Sequence, residues 1–185
     1  MGSWGRPSSI LIVVDLPDPQ SICDARASVE VRRRIGFVSE DKRRYHYMTV
    51  EQSIHFTRSF FPKWPVDLVQ QLLRQFQLPV KRKNGAPIEG MRTKLVLLLA
   101  LCREAELLIL DQPTEGLDQV ASEEILGLLT KMAAGGTSIF FSSHQIAEVQ
   151  QIADRVAIIN DGWLIVQEPL DHLEGALSAH PIIVR

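Results

Sequence analysis

Cysteine is nearly missing from this chain. It occurs twice in 185 residues, at Cys23 and Cys102, far apart and with no metal-ligand spacing, so no cysteine-built metal site can be read. That usage fits a reducing, intracellular setting, and Cys102, inside an apolar helical pattern, reads as a small core residue. Long hydrophobic runs are missing too. The longest, Leu95 to Cys102, stops at Arg103-Glu104 and falls short of the ~20 residues that span a bilayer. Any membrane role is therefore expected to come through a partner. Met1 to Pro7 has no cationic region followed by a long apolar stretch, so no secretory signal is read there. Charge of one sign is also lacking: the formal net charge is −2, which builds in no general attraction to nucleic acid or anionic lipid. Three short basic clusters, Arg32-Arg33-Arg34, Lys42-Arg43-Arg44 and Lys81-Arg82-Lys83, have acidic or apolar neighbours and read as solvated surface. Lastly, glycine is nowhere followed by lysine.

What is present is a soluble, globular composition, 45 % hydrophobic and 23 % charged, long enough for one domain with a sizeable core. Ser9 to Val14 is a short apolar, β-branched run, a buried strand. Asp15 to Ala27, with two prolines, is a connector, and Val31 to Val38 ends a basic helix and enters a second strand at Gly36-Phe37-Val38. Pro62 and Pro65 precede a helix with Leu68, Val69, Leu72, Leu73 and Phe76 on one face. Lys81 to Pro87 is a loop, and Gly90 opens a helix that runs to about Arg103. Strands and helices then alternate. Leu107 to Leu110 is a strand; Ile125, Leu128, Leu129 and Met132 line a helix that stops at Gly135-Gly136. Ser138 to Phe141 and Arg155 to Ile159 are strands, and Asn160-Asp161-Gly162 turns into a last one at Trp163 to Val166. Apolar strands alternating with amphipathic helices predict an α/β fold with a parallel sheet.

The richest stretch chemically runs from Leu107 through Asp111, Gln112, Thr114 and Glu115 to Asp118. Four apolar residues followed by Asp put a carboxylate at a strand's C-terminal edge, where ligands bind in open α/β sheets and where such an Asp commonly holds Mg²⁺. The alternative is an Asp that ends a strand and starts a turn. His144 ends the next strand in Ser142-Ser143-His144 and is either a phosphate-side imidazole or part of a capped turn. His46, His55, His172 and His180 read as surface, and Trp64 and Trp163 as packing residues.

Together these segments resemble the ATP-binding-cassette ATPases. Leu107 to Asp111 is similar to the family's Walker B strand, Glu115-Gly116-Leu117-Asp118 to its D-loop and His144 to its switch histidine. Glu89 to Leu95 stands at the signature motif, Ile35 to Glu40 resembles the strand into the Q-loop, and Ala153 to Ile159 the closing strands. Order and spacing agree over roughly residues 9 to 177. Met48-Thr49-Val50 and Phe60 to Trp64 look most like the branch that powers drug, lipid or polysaccharide exporters.

The departures from the family pattern bear on mechanism. A phosphate-binding loop needs spaced glycines and then Lys, so that backbone N–H groups and one ammonium surround the phosphates. The opening strand is similar to the family's strand after the phosphate-loop helix, which implies that the Walker A loop lies upstream of Met1 and that the chain is N-terminally truncated. The resemblance also implies a missing strand between those at Ser138–Phe141 and Arg155–Ile159, leaving an apolar gap unless the two close on each other. Gln112 stands where the family has its general-base Glu; an amide cannot take the water's proton, a loss of about 10²–10⁴-fold in rate. The signature's Ser-Gly-Gly reads Ile88-Glu89-Gly90, and Ile88 offers no donor to a γ-phosphate, a loss of about 1.5–3 kcal/mol. The Q-loop position carries Glu40 instead of Gln, and a carboxylate there also suits Mg²⁺.

The resemblance thus implies a P-loop NTPase-like (RecA-like) parallel sheet lacking the phosphate-loop strand, with a small helical signature subdomain over about residues 55–103 and a Walker B, D-loop and H-loop core over 104–177. It implies ATP and Mg²⁺ as cofactors, with weak binding here. Asp111 and Glu40 would face the metal, Ile88, Glu89, Gly90, Met91 and Asp118 the nucleotide, and Gln112 and His144 the attacking water. Implied partners are a second nucleotide-binding subunit, as homodimer or heterodimer, and a transmembrane permease, with no nucleic acid. The place would be the cytoplasm, peripheral at the inner face of the membrane. The family is an ATP hydrolase of exporters, and this chain is expected to be inactive alone. The alternative is a non-catalytic cassette that dimerises with an intact ATPase subunit. A DNA-repair or ribosome-associated cassette would call for long coiled-coil or zinc insertions, which the sequence does not contain.

Overall fold

The computed structural model describes residues 10–14, 28–39, 48–81, 89–160 and 162–172. Glu40, Ile88, His46, His180, Lys42-Arg43-Arg44 and Arg82-Lys83 lie outside the described residues. The strands are β1 (Ile10–Val14), β2 (Ile35–Val38), β3 (Leu107–Asp111), β4 (Ser138–Ser143), β5 (Arg155–Asn160) and β6 (Trp163–Pro169). They form one sheet in the order β2-β3-β4-β1-β5-β6. β2, β3 and β4 are parallel, with Val38 opposite Leu110 and Asp111 opposite Ser142. β1 runs antiparallel to both β4 and β5, so those two are parallel to each other, and β6 returns antiparallel to β5. The expected α/β fold forms, with β2, β3, β4 and β5 running one way and β1 and β6 against them.

The gap expected between β4 and β5 does not exist. β1 fills it in reverse, pairing Ile12 with Phe141 on one side and with Val156 on the other. A strand in that slot satisfies two rows of backbone donors and acceptors at once, whereas at a sheet edge it would satisfy one. The reversed direction has a geometric consequence. Ile10 lies opposite Ser143, at the carboxyl end of β4, and Val14 opposite Ile139, so the chain leaves β1 at the edge of the sheet away from Asp111.

Six helices accompany the sheet among the described residues: α1 (Ser28–Arg34), α2 (Val50–Arg58), α3 (Val66–Gln75), α4 (Glu89–Leu101), α5 (Gln119–Ala134) and α6 (Ile146–Ile152).

 α2 is not foreseen by apolar periodicity. Its start is set by a capping box, in which the Thr49 hydroxyl accepts from Gln52 N at 3.1 Å and the Gln52 side chain accepts from Thr49 N at 2.8 Å. In α3 the expected face is the inner one: Val69, Leu72 and Phe76 are buried, and Leu68 and Leu73 pack partly buried against them. In α5 Ile125 and Leu129 are buried and Leu128 and Met132 partly so. The helix ends as the two glycines foretell, with Gly136 at φ +94. α4 is apolar almost all round and buries Leu95 through Cys102, so it passes through the core. No helix among the described residues is long and apolar enough to cross a membrane.

Two surface expectations need amendment. Trp163 is 76 % exposed on the edge strand β6, beside exposed Leu164 and Ile165, and is not a packing residue, whereas Trp64 does pack against the core. Arg34 is more than solvated surface: its Nε donates to Glu106 Oε1 at 2.8 Å, tying the end of α1 to the start of β3. That guanidinium holds the Glu106 carboxyl below its usual range, although an exposed pair of this kind contributes little to stability. His55 and His172 are exposed as expected, and His172 lies 3.7 Å from Glu168.

Two expected outcomes follow from this packing. Ile12→Pro removes a ladder donor from the middle of β1 and should lower stability by about 2 kcal/mol or more, read as a shift in the urea midpoint; an unchanged midpoint would place β1 outside the sheet. Burial pushes the Cys102 thiol up to about 12. In a Cys23→Ser chain, a thiol reagent at pH 8 should therefore react only as the protein unfolds, and rapid labelling of the folded chain would contradict this burial.

Candidate functional site

The parallel register of β3 and β4 brings their carboxyl ends side by side, with Asp111 opposite Ser142. The Ser142 hydroxyl donates to Asp111 Oδ1 at 2.5 Å and accepts from the Gln112 backbone N–H at 3.0 Å. One serine therefore orients the carboxylate and pins the backbone of the next residue. Asp111 is half-buried, and its Oδ2 accepts no hydrogen bond among the described residues.

Gln112 sits at φ +46, a left-handed conformation that costs a non-glycine residue on the order of 1 kcal/mol. Its side chain meets the exposed His144, with Oε1 2.9 Å from Nδ1. An amide oxygen only accepts, so in this arrangement the imidazole Nδ1–H is the donor. The two residues expected at the attacking water are thus in contact. A neutral amide on the imidazole lends it no charge, unlike a carboxylate at the same position.

From Gln112 the chain makes two turns, Glu115 N to Gln112 O at 3.2 Å and Leu117 N to Thr114 O at 3.1 Å, with Gly116 at φ +77. It then enters α5, whose N-cap is Asp118: Oδ1 accepts from Ala121 N at 2.9 Å. The N-terminal end of α4 rests on these turns. Thr93 Oγ1 donates to Glu115 O at 3.2 Å, and a Cβ on Gly90 would stand 2.9 Å from Gly116 O. Met91 packs against the core. Glu89 begins α4, its side chain outside the described residues, as are Glu40 and Ile88 altogether. The structure therefore joins Asp111, Gln112 and His144 in one cluster and Gly90 with the turn before Asp118 in another.

Ser142 and Thr93 were not singled out from sequence. The available signal for Ser142 was the change from apolar to polar at the end of β4, Phe141-Ser142-Ser143, directly before His144. Thr93, fully buried in an apolar helix, shows its role only once Glu115 O is beside it.

The donor set fits a hard divalent cation at Asp111, whose Oδ2 is uncommitted. No glycine is followed by lysine in the sequence, and β1 ends at the edge of the sheet away from Asp111. Among the described residues no three metal-ligating side chains converge.

No protein-family model matches the chain. Curated relatives do. An uncharacterized ABC transporter ATP-binding protein of Nostoc is 29 % identical over 160 residues, 82 % of this chain and 48 % of its own length. The bacitracin transport ATP-binding protein of Bacillus licheniformis is 32 % identical over 148 residues, 78 % of this chain and 48 % of its own. Among solved structures, an ATP-binding subunit of an ABC transporter superposes with a TM-score of 0.75 at 23 % identity, covering 83 % of this chain and 66 % of that one. The chain belongs to the ATP-binding-cassette family. It spans about half the length of the curated relatives it matches.

The close approach of α4 to the turns yields an expected outcome. Gly90→Ala puts a methyl 2.9 Å from the Gly116 carbonyl oxygen, a backbone atom that cannot swing aside. The variant should lose about 1–3 kcal/mol of stability in chemical denaturation. A neutral result would mean that α4 and the turns do not touch in solution.

Proposed function

We propose that the chain serves as the ATP-binding subunit of an ABC-type transporter of the exporter branch, coupling ATP binding and hydrolysis to export through a membrane permease, and that this copy is impaired in both steps. The observation that carries the reading is the Asp111, Gln112 and His144 cluster at the carboxyl ends of adjacent parallel strands, with a 2.9 Å amide–imidazole contact where a base would be needed. Asp111, with Glu40, would hold Mg²⁺. Ile88, Glu89, Gly90, Met91 and Asp118 would face nucleotide across a dimer, though Met91 packs inward and Asp118 also caps α5. Mg²⁺, when bound, would neutralise charge on the phosphates. Gln112 could orient a water but not accept its proton.

In this reading residues of about 55–103 form a helical signature subdomain and 104–177 the core. The partners are a second nucleotide-binding subunit and a permease, the place is the cytoplasmic face of the membrane, and nucleic acid is not a ligand. The contact of Gly90 and Thr93 with the turn before α5 favours a second reading as well, a non-catalytic cassette that dimerises with an intact subunit. There the signature end of α4 and the D-loop keep their mutual packing although the base position holds an amide.

Titration calorimetry of the 185-residue chain with MgATP tests the impairment. The expected dissociation constant is weaker than about 1 mM, because the backbone donors of a phosphate loop supply most of the fixed contacts to a triphosphate. A micromolar value would overturn it.

A further inference from the structure

Ser143 and Glu148 form a second network behind His144 that the cluster above does not use. Glu148 is 5 % exposed, at the third position of α6, whose N-cap Gln145 makes no side-chain cap. An acidic residue there commonly accepts from the N-cap backbone N–H directly. Here a hydroxyl is interposed. Gln145 N donates to Ser143 Oγ at 3.0 Å, and Ser143 Oγ donates to Glu148 Oε2 at 2.5 Å. Residues 143, 145 and 148 are thereby tied together around His144, whose own side chain points the other way, to Gln112. Glu148 Oε1 accepts no hydrogen bond among the described residues, so the serine contact is what orients the carboxylate.

We propose that Glu148 is a positioning residue: acting through Ser143, it fixes the backbone on which His144 stands and so holds the imidazole against Gln112. The alternation of β4 makes this possible. Ser142 and Ser143 point to opposite sides of the strand; the first reaches Asp111 and Gln112, the second reaches α6. Both members of the Gln112–His144 pair are thus held by a serine hydroxyl that accepts one backbone N–H and donates to one carboxylate. The purpose of the fixed imidazole rests on the cassette reading above, whereas its positioning is measurable without nucleotide.

The test is NMR of the full chain, following the His144 imidazole nitrogens and the exchange rate of the Gln145 amide, with Gln112→Ala marking the position of an imidazole without its partner. Glu148→Leu and Ser143→Ala should each move the imidazole signals toward the Gln112→Ala position and speed Gln145 exchange by about 10-fold, the equivalent of one hydrogen bond. Glu148→Gln, which keeps an acceptor, should restore most of both. Ile139→Val, a destabilising change at the far end of β4, should move neither. If the folded Ser143→Ala chain keeps the wild-type imidazole signals, or if Ile139→Val moves them as far, the proposal is overturned. No nucleotide enters the measurement, so failure of the transporter reading would leave this result intact.

Discussion

Two parallel strands that do not touch leave two facing rows of unpaired backbone groups, and the rest of this sheet depends on how those rows are satisfied. β4 and β5 are such strands, and β1 pairs with both. A buried N–H or C=O without a partner costs on the order of 1–3 kcal/mol, so a slot with two ladders to offer draws in an apolar, β-branched segment ahead of any edge position. Direction matters less to the hydrogen bonds than occupancy, since antiparallel ladders are at least as good as parallel ones. It decides where the strand ends: Val14 lies opposite Ile139, at the edge of the sheet away from Asp111.

The carboxyl ends of β3 and β4 are arranged by serine. Ser142 links Asp111 to the Gln112 backbone, and Ser143 links the Gln145 backbone to Glu148. Gln112 is held in a left-handed conformation between these anchors, a strain that the surrounding bonds sustain. Proximity of amide and imidazole is therefore a product of backbone restraint on both strands. The amide preserves the contact while withholding the charge that a carboxylate would supply.

On the helical side, α4 is buried through most of its length and its first turn rests on the chain leading into α5. Gly90 permits that approach by having no side chain. The first turn of α4 and the turn before Asp118 therefore pack against each other, and Asp118 caps the start of α5.

Much of this was legible in the sequence. Leu107 to Leu110 followed by Asp111 marked a buried strand and its polar end; the apolar faces of α3 and α5 and the glycine stop of α5 followed from 3.6-residue periodicity and the freedom of Gly136. These are local properties, decided within a turn or two of chain. What periodicity missed had local but weaker signals, such as the Thr49–Gln52 box that starts α2, or had no local signal. Trp163 was misjudged because exposure on an edge strand depends on which neighbour is absent. The place and direction of β1 could not be read from Ile10 to Val14, since the same apolar run would suit any buried strand, and only the competition among backbone ladders chose the slot. Likewise the pairing of Gln112 with His144, and of Thr93 with Glu115, joins residues far apart in the chain. Tertiary structure alone decides such contacts, because they depend on the register between strands.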